Sequence, residues 1–110
     1  MFIYYVDGNK FTTDNKDGIN FYDISSPNDD IPAFEDLSDG YKSWFEKKVI
    51  WHRLTGPARI WFDGTEEFYL NGIGYPSIKE WINDHPNPDL YFDAIGIKTE
   101  TERVLWFLQN

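Results

Sequence analysis

Apolar positions in the first three quarters of the chain come in short aromatic or aliphatic runs, each closed by a small turn pair. Tyr4-Tyr5-Val6 meets Asp7-Gly8, and Phe68-Tyr69-Leu70 meets Asn71-Gly72. Arg59-Ile60-Trp61-Phe62 runs into Asp63-Gly64, and Glu66-Glu67-Phe68-Tyr69-Leu70 runs out. Asp-Gly and Asn-Gly can supply positive φ at both positions of a two-residue hairpin loop. Tyr, Phe, Trp and Ile pack well on a pleated surface. The pattern predicts successive β-hairpins.

The hairpins repeat. Asp39-Gly40-Tyr41-Lys42-Ser43-Trp44-Phe45 returns 24 residues later as Asp63-Gly64-Thr65-Glu66-Glu67-Phe68-Tyr69, and Trp51 meets Tyr75 at the same offset. A fainter copy is Asp17-Gly18-Ile19-Asn20-Phe21-Tyr22. Units of this length stack because none buries its apolar face alone. The expected fold is mainly β within an α+β class: a short, twisted antiparallel sheet. One domain spans residues 1–110, with a hairpin-repeat core over about 39–75, a hairpin echo over about 2–22 and covering elements over about 77–108.

The covering elements follow a different period. Ser77-Ile78-Lys79-Glu80 fits a capping box, and Ile78, Trp81 and Ile82 share one helical face. Pro86 and Pro88 are expected to end that helix. Thr99-Glu100-Thr101-Glu102 offers a second cap; Val104, Leu105, Phe107 and Leu108 behind it fit a helix or a terminal strand, and the helix is preferred. Pro32-Ala33-Phe34-Glu35-Asp36-Leu37 reads as one further helical turn, ended by Ser38-Asp39-Gly40. Ser26-Pro27-Asn28-Asp29-Asp30-Ile31-Pro32 reads as a loop in which Asp29 and Asp30 are solvated.

Composition narrows the chemistry. The 110 residues contain no Cys, which removes disulfides, thiolate nucleophiles and Cys-based zinc sites. No apolar run approaches the roughly 20 residues needed to cross a bilayer, and the first residues lack the basic region of a secretory signal. A soluble, cytoplasmic protein is expected. The net charge of −9 argues against direct nucleic-acid binding, which needs clustered positive charge. That charge is uneven: residues 1–41 carry −7, residues 42–62 carry +4 and residues 63–110 carry −6.

The most specific motif lies in the basic centre, at His52-Arg53-Leu54-Thr55-Gly56-Pro57-Ala58. Gly56 and Pro57 mark a turn. Leu54 is expected to point inward, and Thr55 to bond its own backbone. Arg53 is expected to stack on Trp51, Trp61 or Phe62. His52 is expected to hold the next hairpin through a carbonyl or an acidic side chain. Gly40, Gly56, Pro57, Asp63, Gly64, Asn71 and Gly72 form the set of structural turn residues.

Residues 51–72, from Trp51-His52-Arg53-Leu54-Thr55-Gly56-Pro57-Ala58 through Asp63-Gly64 and Phe68-Tyr69 to Asn71-Gly72, resemble a short aromatic- and glycine-rich repeat of many bacteriophage and some bacterial proteins. The repeat is similar in style to membrane-occupation-and-recognition-nexus repeats, which form successive β-hairpins. The likeness covers about residues 39–82, and Tyr75-Pro76-Ser77-Ile78-Lys79-Glu80-Trp81 matches the ending that follows such units. The chain departs from the pattern at Glu46-Lys47-Lys48, where Asn-Gly is expected, and at Pro76, where a further His would open another copy. The resemblance implies a phage accessory protein acting inside the host cell, with scaffolding or binding surfaces rather than an agreed catalytic activity.

Catalytic signals are weak. His52 and His85 are the only histidines, and a metal site at Asp84, His85 and Asp89 competes with His85 as an exposed helix terminus, which is the preferred reading. Glu66 and Glu67, adjacent on a strand, face opposite sides. Gly72-Ile73-Gly74 lacks the context of a dinucleotide site. No cofactor or metal is expected. The leading expectation is a non-catalytic protein-binding module that modulates or inhibits a host protein, since aromatics make up 19% of the residues and aromatics dominate binding hot spots. Its candidate contacts are Trp44, Trp51, His52, Arg53, Arg59, Trp61 and Tyr69. One alternative is an acidic nucleic-acid mimic that blocks a host DNA-binding or defence enzyme. Another is a small hydrolase or nuclease using His52 or His85 with carboxylates. Exposed sheet edges also allow a homodimer.

Overall fold

The computed structural model describes residues 1–110. Nine strands precede three helices: β1 (Phe2–Val6), β2 (Asn9–Thr13), β3 (Phe34–Asp36), β4 (Tyr41–Ser43), β5 (Phe45–Glu46), β6 (Ile50–Trp51), β7 (Arg59–Ile60), β8 (Glu66–Leu70), β9 (Ile73–Tyr75), α1 (Ile78–Asp84), α2 (Pro88–Ala94) and α3 (Glu100–Gln109). Seven strands form one sheet in the order β2-β1-β3-β4-β7-β8-β9, with every pairing antiparallel, and β5–β6 form a separate ribbon. The protein is therefore α+β, with its helices gathered at the C-terminus. It is elongated: the radius of gyration is 15.1 Å and the long axis 48 Å, against about 13 Å for a compact chain of this length.

The turn pairs divide into two kinds. At Asp7-Gly8 and Asn71-Gly72 both residues have positive φ (50° and 82°, 50° and 85°), closing two-residue hairpins. At Asp63-Gly64 only Gly64 is positive, at 87°. There Trp61 N–H donates to the Thr65 carbonyl and Gly64 N–H to the Trp61 carbonyl, which makes a three-residue loop, while Asp63 caps the Thr65 amide. Asp17-Gly18 makes no hairpin. It lies in a 3-10 turn, Lys16–Gly18, followed by a second at Phe21–Asp23. Asn15 and Asn20 cap these turns through their side chains and hold them short of helix.

The expected helical turn at Pro32–Leu37 is strand β3 instead. Ala33 N–H donates to Ser43 O and Ala33 O accepts from Tyr5 N–H, so the sheet on both sides claims the backbone. Ala58 repeats this arrangement: its N–H donates to Glu67 O and its carbonyl accepts from Trp44 N–H. Both alanines are fully buried, where a larger side chain would separate the strands. The Pro-Ala pairs at 32–33 and 57–58 thus take equivalent places in the sheet.

The departure at Glu46-Lys47-Lys48 has a backbone consequence. The β5–β6 loop places Lys48 and Val49 at φ 68° and 57°. A β-branched residue is a steric outlier there. Lys48 N–H donates to Tyr22 O and fixes the loop. Val49→Asn should raise the unfolding free energy by about 1 kcal/mol; an unchanged denaturation midpoint would refute the strain.

Two apolar clusters fill the long axis. Ile24, Ala33, Phe34 and Phe45 form one. Leu70, Trp81, Ile82, Tyr91, Phe92 and Trp106 form the other, beneath the helices. Ser77 accepts the Glu80 amide to start α1. Thr99 and Glu102 complete a capping box that starts α3, so residues 103–108 are helical. Pro86 follows the His85 cap that ends α1, and Pro88 opens α2 as its first residue.

Candidate functional site

The His52–Ala58 motif folds as a strap between repeat units. His52 Nδ1 accepts the Asn71 amide at 3.0 Å, and Trp51 O accepts the Gly72 amide, so the strap holds the next turn by its backbone. His52's partner is therefore an N–H rather than a carbonyl or a carboxylate. Arg53 stacks on Trp44, with its guanidinium carbon 3.8 Å from the ring centroid, and not on Trp51, Trp61 or Phe62. It donates to the carbonyls of Asp29 and Pro57. Burial pulls its pKa below the ordinary arginine value, against the opposing charges of Asp29, Asp30 and Glu66. A Cβ on Gly56 would stand 3.0 Å from an Arg53 guanidinium nitrogen, so a side chain there would press on the stacked guanidinium.

Asp29 is not a solvated loop residue. Its carboxylate accepts the amides of Leu54 and Thr55 at 2.7 and 2.8 Å and the Thr55 hydroxyl as well. Thr55 thus bonds a distant side chain rather than its own backbone. Leu54 packs partly buried against the helical cluster, as expected, and its carbonyl accepts from His85 Nε2 at 2.7 Å. His85 is buried, edge-on to Trp81, and its Nδ1 accepts the Asn87 amide. The proton therefore sits on Nε2. The expected exposed helix terminus is instead a buried peg, and no group of three or more His, Asp or Glu is placed to hold a metal ion.

Beside the strap, the sheet carries a groove of about 340 Å³. Its floor is Phe34, Ser43 and Phe45, and its walls include Tyr41, Trp51 and Trp61. Phe62 stands at the mouth, 69% exposed. Arg59 lies within it, its guanidinium carbon 4.5 Å from the Trp51 centroid and 4.4 Å from that of Trp61. Arg59 Nε donates to the Tyr41 hydroxyl, and Nη1 lies 3.4 Å from Glu67. Desolvation lowers the Arg59 pKa, but the Tyr41 hydrogen bond, aided by Tyr69 and Glu67, outweighs it and the pKa rises above the ordinary value. Lys16 from the first 3-10 turn, Asp36 from the end of β3 and Asp39 from the loop after it bring charge to the groove.

Of the candidate contacts, the groove gathers Trp51, Arg59 and Trp61. Tyr69 packs against Trp51 at 6.2 Å without lining it. Trp44 is buried under Arg53 and, with His52, borders a second concavity of about 250 Å³ beside Asp29. Lys16, Asp36, Asp39 and Phe62 were not among the candidates; only Phe62, one residue past Trp61 at a turn, carried a signal. The basic centre is largely spent internally, since Lys42 faces Glu35, Lys47 faces Asp7 and Arg59 faces Glu67.

No protein-family model, curated protein or solved structure matches this chain. No helix is long and apolar enough to cross a membrane.

Proposed function

We propose that the chain is a non-catalytic protein-binding module and that the aromatic groove receives a segment of its partner. The observation that carries this reading is the groove itself: an open concavity walled by Tyr41, Trp51 and Trp61, with Phe62 exposed at its mouth. Concave, mostly apolar sites with a few convergent polar groups are where proteins take ligands, and aromatic and Arg side chains dominate binding energy. The likeness of residues 51–72 to phage repeat units supports a host protein as the partner, met in the host cytoplasm and modulated or inhibited there. Neither His52 nor His85 lines the groove, so nothing in its geometry favours a hydrolase.

Acidic mimicry of nucleic acid is the second reading. It draws on the net charge of −9 and on the internal pairing of the basic centre. A photo-crosslinking residue in place of Phe62 separates the readings. In host lysate it should capture a discrete partner that the same probe at Tyr22, exposed outside the groove, does not. Equal capture at both positions would reject the groove, and displacement of the partner by duplex DNA would favour mimicry.

A further inference from the structure

The groove's own charges point to the chemistry of its guest. Both of its cations already lie on ring faces: Lys16 Nζ is 5.7 Å from the Phe2 centroid and 5.9 Å from that of Phe34, and Arg59 lies between Trp51 and Trp61. Rings attract cations through their quadrupoles, and more strongly where water is excluded. Arg59 is further engaged by the Tyr41 hydroxyl and by Glu67. The groove's two carboxylates, Asp36 and Asp39, by contrast take part in no ion pair. At the mouth, Phe62 is exposed and no cation of this chain lies over its ring. The Ser38 hydroxyl bonds Asp36 at 2.6 Å and holds its carboxyl below the usual carboxylate range, so Asp36 is ionised at neutral pH. An anionic guest would face these two unpaired carboxylates while both cations are already engaged on rings. A cationic one is favoured there and steered in by a net charge of −9.

We propose that the groove accepts a basic segment of the partner protein, lodging an arginine or lysine head against Phe62 and facing it with Asp36 and Asp39. The proposal rests on the reading of the groove as a protein-binding site and names the chemistry of what enters it.

The test uses fluorescein-labelled octa-arginine, octa-lysine and octa-glutamate peptides, read by anisotropy with the full chain at about 0.15 M salt. Asp36→Asn with Asp39→Asn keeps the oxygens that accept the Ser38 and Tyr41 amides, so the loop is retained. Glu46→Gln with Glu100→Gln removes the same charge outside the groove. The basic peptides should bind, about tenfold more weakly to the Asp36/Asp39 double variant and to Phe62→Ala, with less than about a twofold change in the control. Equal weakening in both doubles would assign binding to the whole-molecule field and overturn the proposal; so would a preference for octa-glutamate. A partner captured at position 62 but indifferent to the Asp36/Asp39 double variant would overturn the basic segment alone. Failure of capture at position 62 would instead strike the underlying reading.

Discussion

Asp29→Ala should cost about 3 kcal/mol of stability, although the residue is polar and lies in a loop. Its carboxylate receives two backbone amides and a hydroxyl of the strap. Losing it strands the Leu54 and Thr55 amides in a half-buried setting, and orphaned buried donors cost more than a mean hydrogen bond contributes. The partial exposure of the site lets water take up some of the loss, which keeps the figure below the upper end for a buried charge. The disruption spreads along a line of bonds: Asp29 holds the Leu54 amide, the Leu54 carbonyl holds His85, and His85 holds the Asn87 amide. Thermal unfolding should fall by roughly 10–20 °C. Thr55→Val removes one bond of the set and should cost about 1 kcal/mol. If Asp29→Ala lost no more than Thr55→Val, the carboxylate would not be the latch described.

Trp81→Ala should cost more, about 3–5 kcal/mol. Trp81 is wholly buried, with ring centroids 5.0 Å from Phe68, 5.2 Å from Tyr91 and 4.9 Å from His85, and its indole N–H donates to Tyr69 O. Against a total of about 5–15 kcal/mol for a small domain, that loss approaches unfolding. The two apolar clusters share no residue, so the damage is expected at the helical end first. Hydrogen exchange should quicken in α1–α3 well before β1 and β3. Uniform acceleration along the chain would show that the clusters melt as one unit.

The hairpins were legible because their turns are chemical necessities: positive φ at Asn71-Gly72 and Asp7-Gly8 leaves few other residue types. The helix caps at Ser77 and Thr99 were legible for the same local reason. What escaped depends on contacts far along the chain. Pro32-Ala33-Phe34-Glu35 has the local character of a helix start, and only Tyr5 and Ser43, supplying sheet partners on both sides, make it a strand. Its echo of Pro57-Ala58 was the available signal. Pro88 ends a pattern as readily as it starts one, so α2 had no clear local mark. At the site, Trp51, Arg59 and Trp61 lie within one repeat and were found together. Lys16, Asp36 and Asp39 come from other elements and meet them only through sheet order. Trp44 reads as a surface aromatic until Arg53 is seen to cover it.

The Pro-Ala units confer one property on the molecule as a whole. Each alanine ties its own hairpin to the strand before it, through the carbonyl that receives Tyr5 in one unit and Trp44 in the other. Each straps onward to a single neighbour, through Asp29 or through His52. Such a chain is held neighbour to neighbour: an insertion of a few residues that shifts either alanine would disturb the strand before it as well as its own hairpin. The helices close one end of that series and β2 leaves the other as an open margin, so a further strand could be added to the sheet at that end alone.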